Sequence, residues 1–196
     1  SSDTKPVSAR LEEIYESILT DKTKPVPTFS AALNKNLSGG LRRGEVMTIA
    51  APAGAGKTTF ILQLAEETVR ERVKRAEADS TVPPCALVYV SAEMSEKELV
   101  TKSLSRLGLV DSCRIRDKSI GAEALEPAMK QYAAEVAPVM YLVQARDGMT
   151  LDEVRGITRK VKTRLADAVR GTAEDPAAED PFVILCVDPF QRLMTG

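Results

Sequence analysis

Residues 51 to 58, Ala-Pro-Ala-Gly-Ala-Gly-Lys-Thr, join small side chains to a lysine and a hydroxyl in an order that suits phosphate chemistry. Small residues let consecutive backbone N–H groups curl around an anion, while Lys57 can reach β- and γ-phosphates and the Thr58 hydroxyl can ligate Mg²⁺. A helix opening here would add the positive end of its dipole. The expected cradle is therefore Ala53, Gly54, Ala55, Gly56, Lys57, Thr58 and Thr59. The strict pattern begins with Gly, and Ala51 stands in that place.

Two carboxylates lie where such a cradle could use them. Asp188 ends the apolar run Phe182 to Val187, a position from which an aspartate can support Mg²⁺ beside the loop hydroxyl. The plain alternative is an exposed strand-end aspartate that starts the Asp188-Pro189 turn. Glu93 follows the apolar run Cys85 to Val90 by three residues, close enough to project above a sheet near the γ-phosphate. There a carboxylate would orient and polarise water. The alternative is a helix-start carboxylate satisfied by the dipole, and the two roles are compatible.

Composition narrows the remaining chemistry. The chain has no histidine, which removes Ser-His-Asp and Cys-His catalysis and leaves carboxylates, Lys, Arg and a metal ion. Cys85, Cys113 and Cys186 are too widely spaced for a CxxC pair, so zinc is not expected; Cys85 and Cys186 read as buried, reduced thiols. With 27 basic against 28 acidic residues, there is no general attraction to nucleic acid or membrane. No run approaches about 18 apolar residues and no signal-peptide pattern opens the chain, so a cytoplasmic protein without a membrane segment is expected.

The elements that must position these residues follow from periodicity. Leu11, Ile14, Tyr15, Ile18 and Leu19 recur at helical spacing, with Ser8 available as an N-cap, and a Pro-bearing linker follows from Asp21 to Pro27. Strands are expected at 45–50, 85–90, 139–143 and 182–187. Between them, helices are expected from Gly56 into the seventies, from Ser95 to Gly108, over 122–136 and from Thr150 to about Ala168. Ser95 with Glu98, and Thr150 with Glu153, have capping-box spacing. The first long helix keeps Phe60, Ile61, Leu64, Ala65, Thr68, Val69 and Val73 on one face, and 171–181 reads as an acidic loop. Alternating strands and helices with long connections imply a mainly parallel sheet covered on both faces, with ligands gathered at the strands' carboxyl ends.

Arg42, Arg43, Arg106, Arg146, Arg159, Lys160, Lys162 and Arg164 are the basic candidates for DNA or inter-subunit contacts, against the ordinary role of solvated surface charge. With no Trp, four Phe and four Tyr, no stacking platform for single strands is visible.

Three segments in order, NLSGGLRRGEVMTIAAPAGAGKTTFILQLA, VYVSAEMSEKELVTKSLSRL and VILCVDPFQRLMTG, resemble the ATPase domain of DnaB-like replicative helicases, a RecA-type group of P-loop NTPases. That family commonly opens its phosphate loop with Ala, as at Ala51. Its Ser-x-Glu-Met-Ser segment is matched by Ser91, Glu93, Met94 and Ser95, and its Asp-Tyr-Leu-Gln segment by Asp188, Pro189, Phe190 and Gln191. Ala92 and Pro189 depart from the usual Leu and Tyr. The resemblance implies a RecA-like fold over 27–196, preceded at 1–26 by a tail, a linker-type helix that packs on a neighbouring subunit, and a linker.

It also implies ATP and Mg²⁺ as ligands. Lys57 would bind phosphate, Thr58 and Asp188 would hold the ion, and Glu93 would activate the attacking water, with ATP at the subunit interfaces of a ring. The chain ends eight residues past Asp188, where such a core normally continues with a sensor, DNA-contacting loops and an arginine finger. The matching expectation is a truncated domain with weak hydrolysis and no unwinding, whose DNA contacts would come from the absent part. The alternatives are a RecA-type nucleotide-dependent switch or assembly scaffold and, third, a P-loop small-molecule kinase, for which neither an Arg-rich lid nor an acceptor pocket can be assigned.

Overall fold

The computed structural model describes residues 6–21, 24–79, 82–170 and 181–189. In chain order these form α1 (Leu11–Thr20), α2 (Ala31–Asn36), α3 (Lys57–Ala78), β1 (Cys85–Ser91), α4 (Glu96–Gly108), α5 (Ser112–Arg116), α6 (Ala122–Glu135), β2 (Met140–Gln144), α7 (Leu151–Arg170) and β3 (Phe182–Asp188). Residues 1–5, the acidic stretch 171–180, Phe190 and Gln191 lie outside the described residues.

The three strands make one parallel sheet in the order β2-β1-β3, in register Leu87 with Met140 and Ile184, and Ser91 with Gln144 and Asp188. Central β1 is buried along its whole length, as a continuous apolar run requires when helices cover both faces. On one face Cys85, Leu87 and Tyr89, with Phe182 and Ile184, pack on Leu62, Ala65 and Val69 of α3 and on Leu99 of α4. On the other, Ala86, Val88 and Val90 meet Val154 and Val161 of α7. The alternation of a pleated strand thus assigns each helix its side.

Both capping boxes form. Ser95 accepts from the Glu98 N–H while Glu98 accepts from the Ser95 N–H at 2.8 Å, and Thr150 pairs with Glu153 in the same manner. Other expectations need correction. Among the described residues Ser8 caps no helix: it lies in a 3₁₀ turn, Val7–Ala9, and α1 begins after Arg10 without a side-chain cap. Helices α2 and α5 were not foreseen, because six and five residues are too short to show a period; their signals are the caps Ser30 and Asp111, which accept from the N–H groups of Leu33 and Cys113. β2 starts and ends one residue later than expected.

The largest correction concerns 45–50, expected to be the strand leading into the phosphate loop. These residues pair with no strand among the described residues, and Val46 is 91% exposed. An apolar run identifies a stretch fit for extended backbone, but a strand exists only with a ladder partner to take its N–H and C=O groups. The chain just before it is nonetheless held at the start of β3. The Arg43 guanidinium donates to the Pro181 carbonyl at 3.0 Å and lies 5.5 Å from the centre of the Phe182 ring.

Candidate functional site

The cradle is built by two glycines. Gly54 and Gly56 adopt φ of 77° and 85°, left-handed values that favour glycine, and the Ala55 N–H turns back to the Pro52 carbonyl at 3.2 Å. Gly56 is the N-cap of α3, so no side chain caps that helix, whose first backbone bond runs from the Phe60 N–H to the Gly56 carbonyl at 2.9 Å. Among the described residues, the N–H groups of Lys57, Thr58 and Thr59 therefore have no side-chain cap at the positive end of a 22-residue helix. Residues 51–56 are exposed, and Lys57 and Thr58 are half-buried.

Glu93 and Asp188 are presented by the carboxyl ends of adjacent strands. Ser91 pairs with Asp188, and the Ala92 N–H donates to the Asp188 carbonyl at 3.0 Å. On the other side the Ala145 N–H donates to the Ser91 carbonyl at 2.7 Å. The buried Ser91 hydroxyl accepts from the Met94 N–H at 3.0 Å and donates to the Met94 carbonyl at 2.6 Å, which closes a tight turn with exposed Glu93 at its tip. Asp188 is buried, shares the α3 face with Tyr89, and accepts the Tyr89 phenol on Oδ2 at 3.1 Å. Burial, and then the negative charge of Asp188, push the Tyr89 phenol well above its ordinary value, so it is a neutral donor.

The other carboxylate oxygen, Oδ1, has no hydrogen-bond or ion-pair partner among the described residues. Since no fully enclosed side-chain oxygen or nitrogen there lacks a partner, Oδ1 keeps some contact with solvent although Asp188 as a whole is only 5% exposed. A carboxylate oxygen and a threonine hydroxyl are hard donors, and Mg²⁺ uses one or two protein ligands beside phosphates and water. Thr58 and Asp188 fit that ion by donor chemistry.

The fold thus brings Glu93 and Asp188 to one sheet end and packs α3 on the face that Asp188 occupies. It does not bond the cradle to them: among the described residues, the side chains of Lys57, Thr58 and Glu93 have no hydrogen bond or ion pair. Lys102 of α4, the helix that follows Glu93 in the chain, donates to the Thr59 hydroxyl at 3.2 Å.

Sequence reasoning passed over Tyr89, Lys102 and a buried charge cluster, and named Ser91 for a motif match without its turn-closing role. Glu66 of α3 is fully buried, accepts from the Ser103 hydroxyl at 2.6 Å and pairs with Arg106 at 2.6 Å. Arg106 also binds Glu67, which pairs with Arg70 at 2.7 Å, and Arg70 reaches Glu135 of α6. Arg106 is therefore an intramolecular ion-pair partner and not a freely solvated charge. Arg43 is likewise committed to β3, and Arg146 pairs with Glu153 at 2.7 Å. Arg159, Lys160, Lys162 and Arg164 are exposed on α7.

A parallel sheet sandwiched by helices, with a left-handed glycine loop opening one helix and carboxylates at the strand ends, defines the RecA-like class of P-loop NTPase folds. Residues 26–169 match the DnaB-like helicase C-terminal domain, and the chain belongs to that family. Two proteins described as DNA repair protein RadA, from Mycobacterium tuberculosis strains CDC 1551 / Oshkosh and ATCC 25618 / H37Rv, are each 24% identical over 164 residues, 84% of this chain and 31% of theirs.

Two solved structures share the fold at 19% identity, TM-score 0.60 and 94% coverage of this chain. One is the ATPase domain of G40P, of which 57% is matched, and the other a DnaB-like replicative helicase studied with its primase, of which 39% is matched. The chain spans about a third of the RadA length and less than two thirds of either solved chain. Among the described residues, no helix is long and apolar enough to cross a membrane.

Proposed function

We propose that this chain binds ATP with Mg²⁺ at residues 53–59 and directs water onto the γ-phosphate, as the nucleotide-driven part of a DnaB-like helicase. The observation that carries the reading is the start of α3 at Lys57, uncapped by any side chain, behind the left-handed Gly54 and Gly56. The free N–H groups and helix dipole would hold phosphate oxygens, and the Lys57 ammonium would add a point charge. Thr58 and Asp188 would hold the ion, which when bound neutralises charge on the phosphates. Glu93, raised on the turn that Ser91 closes, would accept the hydrogen bond of the attacking water.

Family membership supports the nucleotide, and the exposed stripe of α1 supports assembly. Leu11, Tyr15, Ile18 and Leu19 are 58%, 62%, 67% and 67% exposed, a face that would pack on a neighbouring copy in a ring. DNA engagement belongs to the same proposal.

The test uses two variants. Lys57→Ala should weaken binding of a fluorescent ATP analogue, whereas Glu93→Gln should keep that binding and abolish phosphate release. Unchanged turnover in Glu93→Gln would remove the assigned role of that residue, and unchanged nucleotide affinity in Lys57→Ala would remove the cradle.

A further inference from the structure

We propose that Tyr89 is a positioning residue for the cation site: by donating to Oδ2 of Asp188 it fixes that carboxylate and leaves Oδ1 as the oxygen open to a divalent ion. The inference rests on the reading that Asp188 serves Mg²⁺ with nucleotide.

The phenol lies at the centre of the sheet. Tyr89 is fully buried and pairs in register with Cys186, so its hydroxyl reaches Asp188 along the diagonal, two positions further on β3. Tyr89 belongs to the same apolar cluster as Leu62, Leu87 and Leu99, a place where phenylalanine would serve as well for packing. A hydroxyl taken into such surroundings needs a partner, and Asp188 is the partner it has.

The consequence for Asp188 is twofold restraint from one stretch of chain. Ala92, the residue that follows β1, holds its backbone, and Tyr89 of β1 holds its side chain. A strand-end aspartate otherwise rotates about two side-chain torsions. With Oδ2 engaged from within the core, the carboxylate reaches the cation already oriented, the role that outer-shell hydrogen bonds play around metal ligands.

Tyr89→Phe removes one oxygen and keeps the ring. In the full chain, Mn²⁺ affinity is measured by electron paramagnetic resonance with ADP present, and ADP affinity is measured separately in EDTA. Mn²⁺ binding should weaken roughly 10- to 100-fold, while metal-free ADP binding stays within about twofold of the parent. Equal Mn²⁺ affinity in parent and variant overturns the inference, as does a parallel loss of metal-free ADP binding, which would mark a general structural role. A parent chain that binds neither ADP nor Mn²⁺ overturns the proposed function instead.

Should Tyr89→Phe fail to fold, Tyr15, Tyr132 and Tyr141 are replaced by Phe and Tyr89 is labelled as 3-fluorotyrosine. Its ¹⁹F resonance should move when Mg²⁺ replaces EDTA in the ADP complex. A resonance that stays in place overturns the inference.

Discussion

Replacing Arg106 by Ala isolates one buried carboxylate. Glu66 has no exposed surface and, among the described residues, keeps only the Ser103 hydroxyl once Arg106 is gone, whereas Glu67 retains Arg70. Breaking a buried pair from one side costs about 3–5 kcal/mol, because the remaining charge is left in a poorly solvating interior. For a chain of this size that is a fall of roughly 6–20 °C in the unfolding midpoint.

The pH dependence follows from the same site. Burial already raises the Glu66 carboxyl above its ordinary value against the opposing pull of Ser103 and Arg106, so loss of Arg106 must raise it further. A raised carboxyl means that the folded chain holds a proton the unfolded chain has released. Its contribution to stability is complete below the ordinary value and is lost as pH rises through the folded-state value. The cost of Arg106→Ala should therefore be largest near about pH 8 and shrink near about pH 5 as Glu66 takes up its proton. Urea unfolding of parent and variant at both values measures it. A cost below about 1 kcal/mol at the higher pH, the scale of a surface ion pair, or one equal at both, would refute the reasoning.

Other outcomes follow from the fold. Burial pushes the Cys85 thiol up to about 12; Cys186, half-buried where a buried thiol was expected, is pushed up to about 12 by desolvation of its sulfur and the charge of Asp188, while Cys113 is exposed. A maleimide at neutral pH should label Cys113 alone in the folded chain and all three cysteines in denaturant; rapid native labelling at Cys85 would contradict the burial of β1. Gly40 has φ of 137°, and a Cβ there would sit 2.1 Å from the Val26 carbonyl oxygen, inside the bridge between Val26 and Leu41. Gly40→Ala should lower stability by about 1–3 kcal/mol in thermal or urea unfolding. Gly44→Ala, with open space around its Cβ, should cost less.

Much of this architecture was legible in the chain because period and caps report local physics. Cys85 to Val90 reads as a doubly covered strand since it has no polar alternation to spend on a solvent face, and the Ser95 and Thr150 boxes mark their helices through bonds made within four residues. The carboxylates at 93 and 188 were placed at strand ends for the same reason. What was not legible depends on distant partners. The run 45–50 has the composition of a strand, but composition carries no information about whether a ladder forms. Glu66 looks like any helical glutamate until α4 brings Ser103 and Arg106 against it. Tyr89 looks like core, and only the β1–β3 register reveals which carboxylate its hydroxyl meets.

The contact between Tyr89 and Asp188 joins residues 99 apart in sequence. Closing so long a loop costs chain entropy before any strand pairing offsets it, and parallel pairing across such a crossover is slow compared with forming α3 or α4. The carboxylate of β3 therefore docks late, after the helices that flank it can already exist. On a growing chain, the Asp188 side of the site has no location until β3 has been synthesised, so a cation-binding signal from this carboxylate would report the pairing of β3 with β1 during synthesis.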